Sequence, residues 1–346
     1  MPRKNPPNQL TLEDSDMIDS IRDSIVVVCA VDNNYAMPLA ATMRSVIENL
    51  KGERRLALFI IDGGIKENNK RKILKSLSSE KCEVNWISNP VKLLGEVGAL
   101  KELNFGQLPH LSISAYYRML IPELLPQQYS KAIYLDSDVI VVGDLNCLWD
   151  IKVQDNYLLA VQEIICPYVS SSAGLANYQE LGIPADTKYF TSGVLVFNLE
   201  KCRTDKLSAK CVEYLVKYRE YIRWHDTDVL NAVIAGKWGE LDPRWNQMPF
   251  VYNITSWKDT PFSEDTFNKL IHDPYIIHFA SAAKPWNSRE DHPCNHLFFH
   301  YLDLTAWSGW RLTIWRRLWR RINREIKQFR SLISQQKTRQ LSSQQS

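Results

Sequence analysis

"KAIYLDSDVIVVGDL" (residues 131–145) reads as an apolar strand that ends in two aspartates. Side chains two apart on extended backbone point to the same side. Asp136 and Asp138 therefore stand together at the tip of the strand, with Ser137 between them. Two carboxylates held this way repel each other unless a cation lies between them. Read alone, they are either solvated groups in the turn before "GDL" or ligands of a hard divalent cation. Such cations take oxygen ligands and bridge carboxylates to substrate phosphates.

The same pattern recurs upstream. "SIVVVCAVDNNYA" (24–36) is an apolar strand ending in polar residues, followed by helical periodicity through Met43, Val46, Ile47 and Leu50. "LALFIIDGG" (56–64) is a second strand before a polar helical stretch at 66–79. "EVNWIS" (83–88) is a third, and a helix around 114–125 leads into the strand at 131. Apolar strands alternating with helices predict an α/β fold with a mainly parallel sheet covered on both faces. Ligands of such sheets sit beyond the carboxyl ends of the strands, where Asp32, Asp136 and Asp138 fall. Further on, strands are expected at 158–165, 193–199 and 275–280, with helices at about 203–222 and 226–236.

Composition sets outer bounds. The 346 residues are 45% hydrophobic and 23% charged, as in ordinary globular proteins and unlike disordered or membrane-integral ones. Seven scattered cysteines without a CxxC pair argue against a disulfide framework or zinc site and for a reducing compartment. No signal peptide or membrane-spanning stretch is visible, so the expected location is cytoplasmic.

His278 closes the late strand in "IIHFASAAKPW" (276–286), either as a packed histidine or as a third ligand. Lys284 beyond it is a point charge suited to phosphate, on a loop stiffened by Pro285. Two carboxylates and one imidazole favour manganese, with magnesium second. "HDTDVLN" (225–231) puts acids at a helix start, where Asp226 or Thr227 would serve as an N-cap and Asp228 would favour the helix dipole. "YFTSGVLVFNL" (189–199) sets small polar residues before a buried strand.

Taken in order, "VDNNYA" (31–36), "HLSISAYYRML" (110–120), "YLDSDVIVVGDL" (134–145), "YFTSGVLVFNL", "HDTDVLN" and "HFASAAKPW" (278–286) resemble glycosyltransferase family 8. These are retaining enzymes of GT-A fold, a Rossmann-like nucleotide-sugar transferase architecture. The bacterial galactosyl- and glucosyltransferases of lipopolysaccharide synthesis are the nearest likeness. The resemblance implies a UDP-sugar donor, UDP-glucose or UDP-galactose, and a glycan or glycolipid acceptor. It implies that Asp136, Asp138 and His278 hold Mn²⁺. Ala30, Asp32 and Asn34 would contact the uridine, while His110, Ser137, Ser281 and Lys284 would lie on the nucleotide and diphosphate side. Arg118 and Asp226 would bind hydroxyls of the hexose, beside Glu163, Thr191 and Ser192, and Thr227 would stand with them at the reacting centre. Three positions depart from the bacterial galactosyltransferases. Thr191 and Ser192 replace an Asn-containing segment, Glu163 replaces an Asp, and Thr227 replaces the Gln of "DQD".

The expected organisation is a leader at 1–23, a catalytic domain at 24–300 and a basic tail at 301–346. The catalytic domain divides into a nucleotide-binding half (24–145) and a sugar and acceptor half (146–300). Between Trp307 and Arg339 there are ten Lys/Arg and one acid, a local +9 that leaves −6 for the rest of the +3 chain. In "LTIWRRLWRRINREIKQFR" (312–330) Ile314, Trp315, Leu318, Ile322, Ile326 and Phe329 share one helical face, with the arginines opposite. That pattern fits a helix lying on an anionic membrane surface at the inner face of the plasma membrane, through residues 307–330. The tryptophans are not interleaved with the arginines, which argues against nucleic acid. Two other readings of the chain are a haloacid-dehalogenase-type phosphatase using Asp136 and Asp138, and a non-catalytic membrane-bound nucleotide-sugar or glycan-binding protein.

Overall fold

A computed structural model describes residues 24–88, 113–288 and 292–316. The expected leader, His110 and the tail beyond Arg316 lie outside the described residues. Among those described, seven strands form one sheet: β1 (Ile25–Val31), β2 (Leu56–Asp62), β3 (Cys82–Ile87), β4 (Lys131–Leu135), β6 (Leu158–Gln162), β7 (Phe190–Asn198) and β8 (Gly239–Glu240). Their order is β3-β2-β1-β4-β7-β6-β8. The first four are mutually parallel, and β7 runs antiparallel to both β4 and β6. A separate antiparallel pair, β5 (Val139–Val141) and β9 (Ile276–His278), stands beside the sheet.

Each face of the sheet is covered, as the continuous apolar strands require. Val26, Val28 and Ala30 of β1 share one core with Tyr116, Tyr134 and Phe190. That layer also includes Leu207 and Leu215 of α6 (Leu207–Lys217) and Val229 and Leu230 of α7 (Asp226–Val233). Val27, Cys29 and Val31 face the other way, against Leu39, Met43 and Val46 of α1 (Ala36–Asn49) and Ile73 of α2 (Glu67–Ser76). The α1 helix has no side-chain N-cap bond, so burial is what fixes it. Each fully buried apolar side chain contributes roughly 1.5–3 kcal/mol.

The remaining helices are α3 (Ile121–Leu124), α4 (Leu145–Trp149), α5 (Leu199–Thr204), α8 (Glu264–His272) and α9 (Asn295–Asp303). The stretch 113–120 before α3 is a 3-10 helix. The single helix expected at 203–222 is divided. α5 ends at Thr204, Lys206 takes a left-handed φ of 54°, α6 follows, and a 3-10 turn covers Arg219–Tyr221.

The α1 helix also makes polar contacts at long range. Thr42 Oγ1 donates to the carbonyls of Ser137 (3.1 Å) and Val139 (2.7 Å), holding the turn that carries the aspartates. Asn49 Nδ2 donates to Tyr301 Oη at 2.7 Å, fastening α9 to the helix. Past α9, Arg311 pairs with Asp303 at 2.6 Å and lies over the Phe299 ring, so the described start of the tail is fixed to the body. Ile314 and Trp315 are exposed, Trp315 at 80%.

Candidate active site

Asp136 follows the last residue of β4, and its amide donates to the Gly193 carbonyl of β7 at 2.9 Å. The turn delivers Asp138 to β5, whose pairing with β9 sets Val139 opposite His278. The Phe279 amide donates to the Asp138 carbonyl at 3.0 Å. A residue 140 positions away in sequence is thus brought to the aspartates by a three-residue strand.

Each carboxylate commits one oxygen to a neighbour and turns the other towards the histidine. Asp136 Oδ1 accepts from Arg118 Nη2 (2.8 Å) and Tyr134 Oη (2.7 Å), while Oδ2 lies 3.6 Å from His278 Nε2. Asp138 Oδ2 pairs with Lys284 Nζ, while Oδ1 lies 3.2 Å from the same Nε2. Burial opposes ionisation of Asp138, but the adjacent Lys284 and His278 outweigh it and hold its carboxyl below the usual range. One ligand atom from each of Asp136, Asp138 and His278 lies within 4.8 Å of the others, and among the described residues no other such group occurs.

The donor set fits a divalent cation. His278 is 4% exposed, and its Nδ1 lies 2.9 Å from Asn246 Oδ1. With Asn246 Oδ1 as acceptor, Nδ1 would donate, which leaves Nε2, the nitrogen facing the carboxylates, for ligation of a cation. Gly193 leaves room for the ring. A Cβ there would stand 2.3 Å from His278 Cε1 and 2.6 Å from Nδ1.

From these residues a cavity of about 560 Å³ opens at the carboxyl end of the parallel strands. Arg118, 5% exposed, is the hub of its wall. Besides Asp136, it reaches Asp226 Oδ2 from Nε at 3.0 Å, the Ser192 carbonyl from Nη1 at 2.7 Å, and the face of Tyr134. Ser192 Oγ donates to Asp226 Oδ2 at 2.8 Å and lies 2.6 Å from Thr227 Oγ1. Burial pushes the Asp226 carboxyl up, with Arg118 opposing. Burial likewise raises Glu163, whose Oε1 accepts from the Ile164 and Ile165 amides as β6 ends. The expected N-cap role of Asp226 or Thr227 is not what α7 uses. His225 precedes the helix at φ 52° and ψ −126°, and Asp228 accepts from the Arg223 and Trp224 amides.

Ala30, Ser137, Asp138, Glu163, Thr191, Ser192, Thr227 and Lys284 all line this cavity with Arg118, Asp136, Asp226 and His278. Asp32, Asn34 and Ser281 do not. Asp32 Oδ1 accepts from the Asn34 and Tyr35 amides at 2.8 and 3.2 Å, closing the turn after β1. Ser281 Oγ donates to the Ala283 carbonyl at 2.6 Å. His110 lies outside the described residues.

Sequence reasoning missed Tyr134, Gly193 and Asn246. Tyr134 was within reach, since it stands two residues before Asp136 on the same side of the strand. Nothing in "DPRWNQMPF" marks Asn246.

The chain is similar to known proteins over most of its length. The family model described as Glycosyl transferase family 8 matches residues 26–290. General stress protein A of Bacillus subtilis is 30% identical over 291 residues, 83% of this chain and 96% of that protein. A lipopolysaccharide 1,2-glucosyltransferase of Escherichia coli is 25% identical, over 83% of this chain and 80% of its own length. Among solved structures, the galactosyltransferase LgtC with donor and acceptor sugar analogs superimposes with a TM-score of 0.66 at 24% identity. The match covers 82% of this chain and 96% of that one.

Proposed function

The chain belongs to glycosyl transferase family 8 and is a glycosyltransferase, and we propose that it moves glucose or galactose from a UDP-sugar to a glycan or glycolipid acceptor with retention of anomeric configuration. Family membership sets aside the phosphatase and non-catalytic readings. The observation that carries the proposal is the convergence of Asp136, Asp138 and His278 with Lys284 at the floor of the cavity.

Asp136, Asp138 and His278 would hold the cation, Mn²⁺ in our reading because an imidazole joins the carboxylates. When bound, the cation neutralises charge that develops on the leaving diphosphate. Lys284 supplies a second positive charge on the same side. Arg118 and Asp226, beside Asp136, orient the hexose hydroxyls. With Asp226 Oδ2 engaged by Arg118 and Ser192, we read the reaction as front-face substitution. In that route the bond from the anomeric carbon to the phosphate oxygen breaks as the acceptor oxygen bonds on the same face. The acceptor's proton passes to the departing phosphate oxygen.

The test is a donor screen of UDP-glucose, UDP-galactose and UDP-N-acetylhexosamines with and without Mn²⁺, reading UDP release and product anomer by NMR. Metal-independent turnover, or an inverted product, would refute the reading. No helix among the described residues is long and apolar enough to cross a membrane. We infer that the protein works in the cytoplasm and rests on the inner face of the membrane through residues 307–330. Ile314 and Trp315 begin the apolar face and Arg316 the basic one, each basic residue near anionic lipid being worth about 1 kcal/mol. A chain ending near Ala306 should stay active yet leave anionic vesicles, and equal binding by both forms would overturn the inference.

A further inference from the structure

Asn246 lies at the end of a 3-10 turn, Pro243–Asn246, 32 positions before His278, and it is 2% exposed. Its carboxamide is used on one side only. Oδ1 faces His278 Nδ1 at 2.9 Å, and Nδ2 is buried with no hydrogen-bond partner. A buried amide N–H without a partner is costly. Asn246 thus leaves its N–H unpaired while its oxygen meets the ring.

The surroundings of the ring sharpen this. The ring occupies the space that a side chain at position 193 would need, a Cβ there standing 2.3 Å from Cε1 and 2.6 Å from Nδ1. The His278 amide is fixed to the Gln247 carbonyl at 2.9 Å, next in the chain to Asn246. The backbone of β9 and the carboxamide of Asn246 therefore hold the same residue from one segment. With Oδ1 as acceptor, the proton of a neutral ring is confined to Nδ1 and the Nε2 lone pair points between Asp136 and Asp138. Without it, the ring's most favourable partner is Asp138 Oδ1, 3.2 Å away. That partner favours a proton on Nε2 and takes the lone pair out of use.

We propose that Asn246 is a positioning residue that sets the tautomer and orientation of His278, and through it the affinity of the Asp136–Asp138–His278 site for a divalent cation. The proposal rests on the reading of those three residues as a metal site. It concerns ligand preparation and assigns Asn246 no contact with substrate.

The test uses the full chain without donor or acceptor. Mn²⁺ binding is followed by electron paramagnetic resonance of the free ion, and the His278 tautomer by ¹⁵N chemical shifts of the imidazole in metal-free protein. Asn246→Leu should weaken Mn²⁺ binding by about 10–100-fold, as loss of a ligand's orienting partner does, and should shift the ring proton towards Nε2. Asn246→Asp keeps an acceptor opposite Nδ1 and should retain binding within a few-fold of the parent and the Nδ1–H tautomer. A merely structural role would move thermal stability in both variants and leave the tautomer alone. Should Asn246→Leu not fold, Asn246→Ala is read in the same way. Unchanged affinity and tautomer in the variant lacking the acceptor would overturn the proposal. If the parent chain binds no Mn²⁺ and Asp138→Asn behaves identically, the metal reading fails instead, and the ¹⁵N shifts alone decide what Asn246 does to the ring.

Discussion

Arg118 and Asp226 form a buried ion pair, Nε to Oδ2 at 3.0 Å, that joins the 3-10 segment before β4 to the first turn of α7. The same guanidinium holds Asp136, so one side chain couples the residue that would face the cation to the residue that would face the sugar. Burial lowers the Arg118 pKa, but Asp136 and Asp226 more than reverse this, and it is held charged.

Arg118→Lys should therefore behave as a severe change. Lysine brings a point charge where a planar fork serves two carboxylates and two carbonyls. Removing one partner of a buried pair costs about 3–5 kcal/mol. Thermal denaturation should show a large drop for Arg118→Ala and a smaller one for Arg118→Lys, with donor KM raised in the lysine variant. An unchanged KM would show that the arginine does not organise the sugar wall.

Gly193→Ala should displace His278. The effect is contact alone: the new methyl would meet the imidazole and come within 3.2 Å of Asp136 Oδ2. Overpacking of this kind costs about 1–3 kcal/mol. Titration with Mn²⁺ should show weakened binding, and wild-type affinity would mean that the ring has another resting place.

Thr227→Ala removes the 2.6 Å contact with Ser192 Oγ and leaves the Asp226 pair in place. Transfer should fall within about tenfold, the worth of a neutral hydrogen bond. Asp226→Asn should fall about 10²-fold, since a charged partner of Arg118 is lost. Rates measured by UDP release would contradict this ordering if the alanine variant lost more.

Asp303 gives a pH prediction with a definite sign. Its hydrogen bond with Arg311 holds the carboxyl down at about 2. A carboxyl whose folded pKa is depressed contributes stability that is present above its unfolded value, about 4, and lost as pH falls through the folded one. The 303–311 contact should thus be intact at neutral pH and come undone between about 4 and 2. An NMR titration of the Asp303 carboxyl checks this, and the acid-linked change should vanish in Asp303→Asn.

The parallel half of the sheet was legible because strands buried on both faces are written as unbroken apolar runs. The aspartate pair was legible because two-residue spacing on a strand has one geometric meaning. The reversal at β7 was not, since an apolar run carries no direction. Nor was the break at Lys206, where a non-glycine residue takes a left-handed conformation that helical periodicity ignores. The nearness of His278 to Asp138 depends on the β5–β9 pairing, and three-residue strands leave little trace in sequence. Asn246 acts through one carboxamide oxygen, and no pattern of residue types announces that.

Thr42, midway along α1, also has a mechanical meaning. Arg311 is held by Asp303 of α9, and Tyr301 of α9 by Asn49 of α1. The same helix grips the carbonyls of Ser137 and Val139 through Thr42. The turn carrying Asp136 and Asp138 and the helix α9 are therefore both held by one helix, α1.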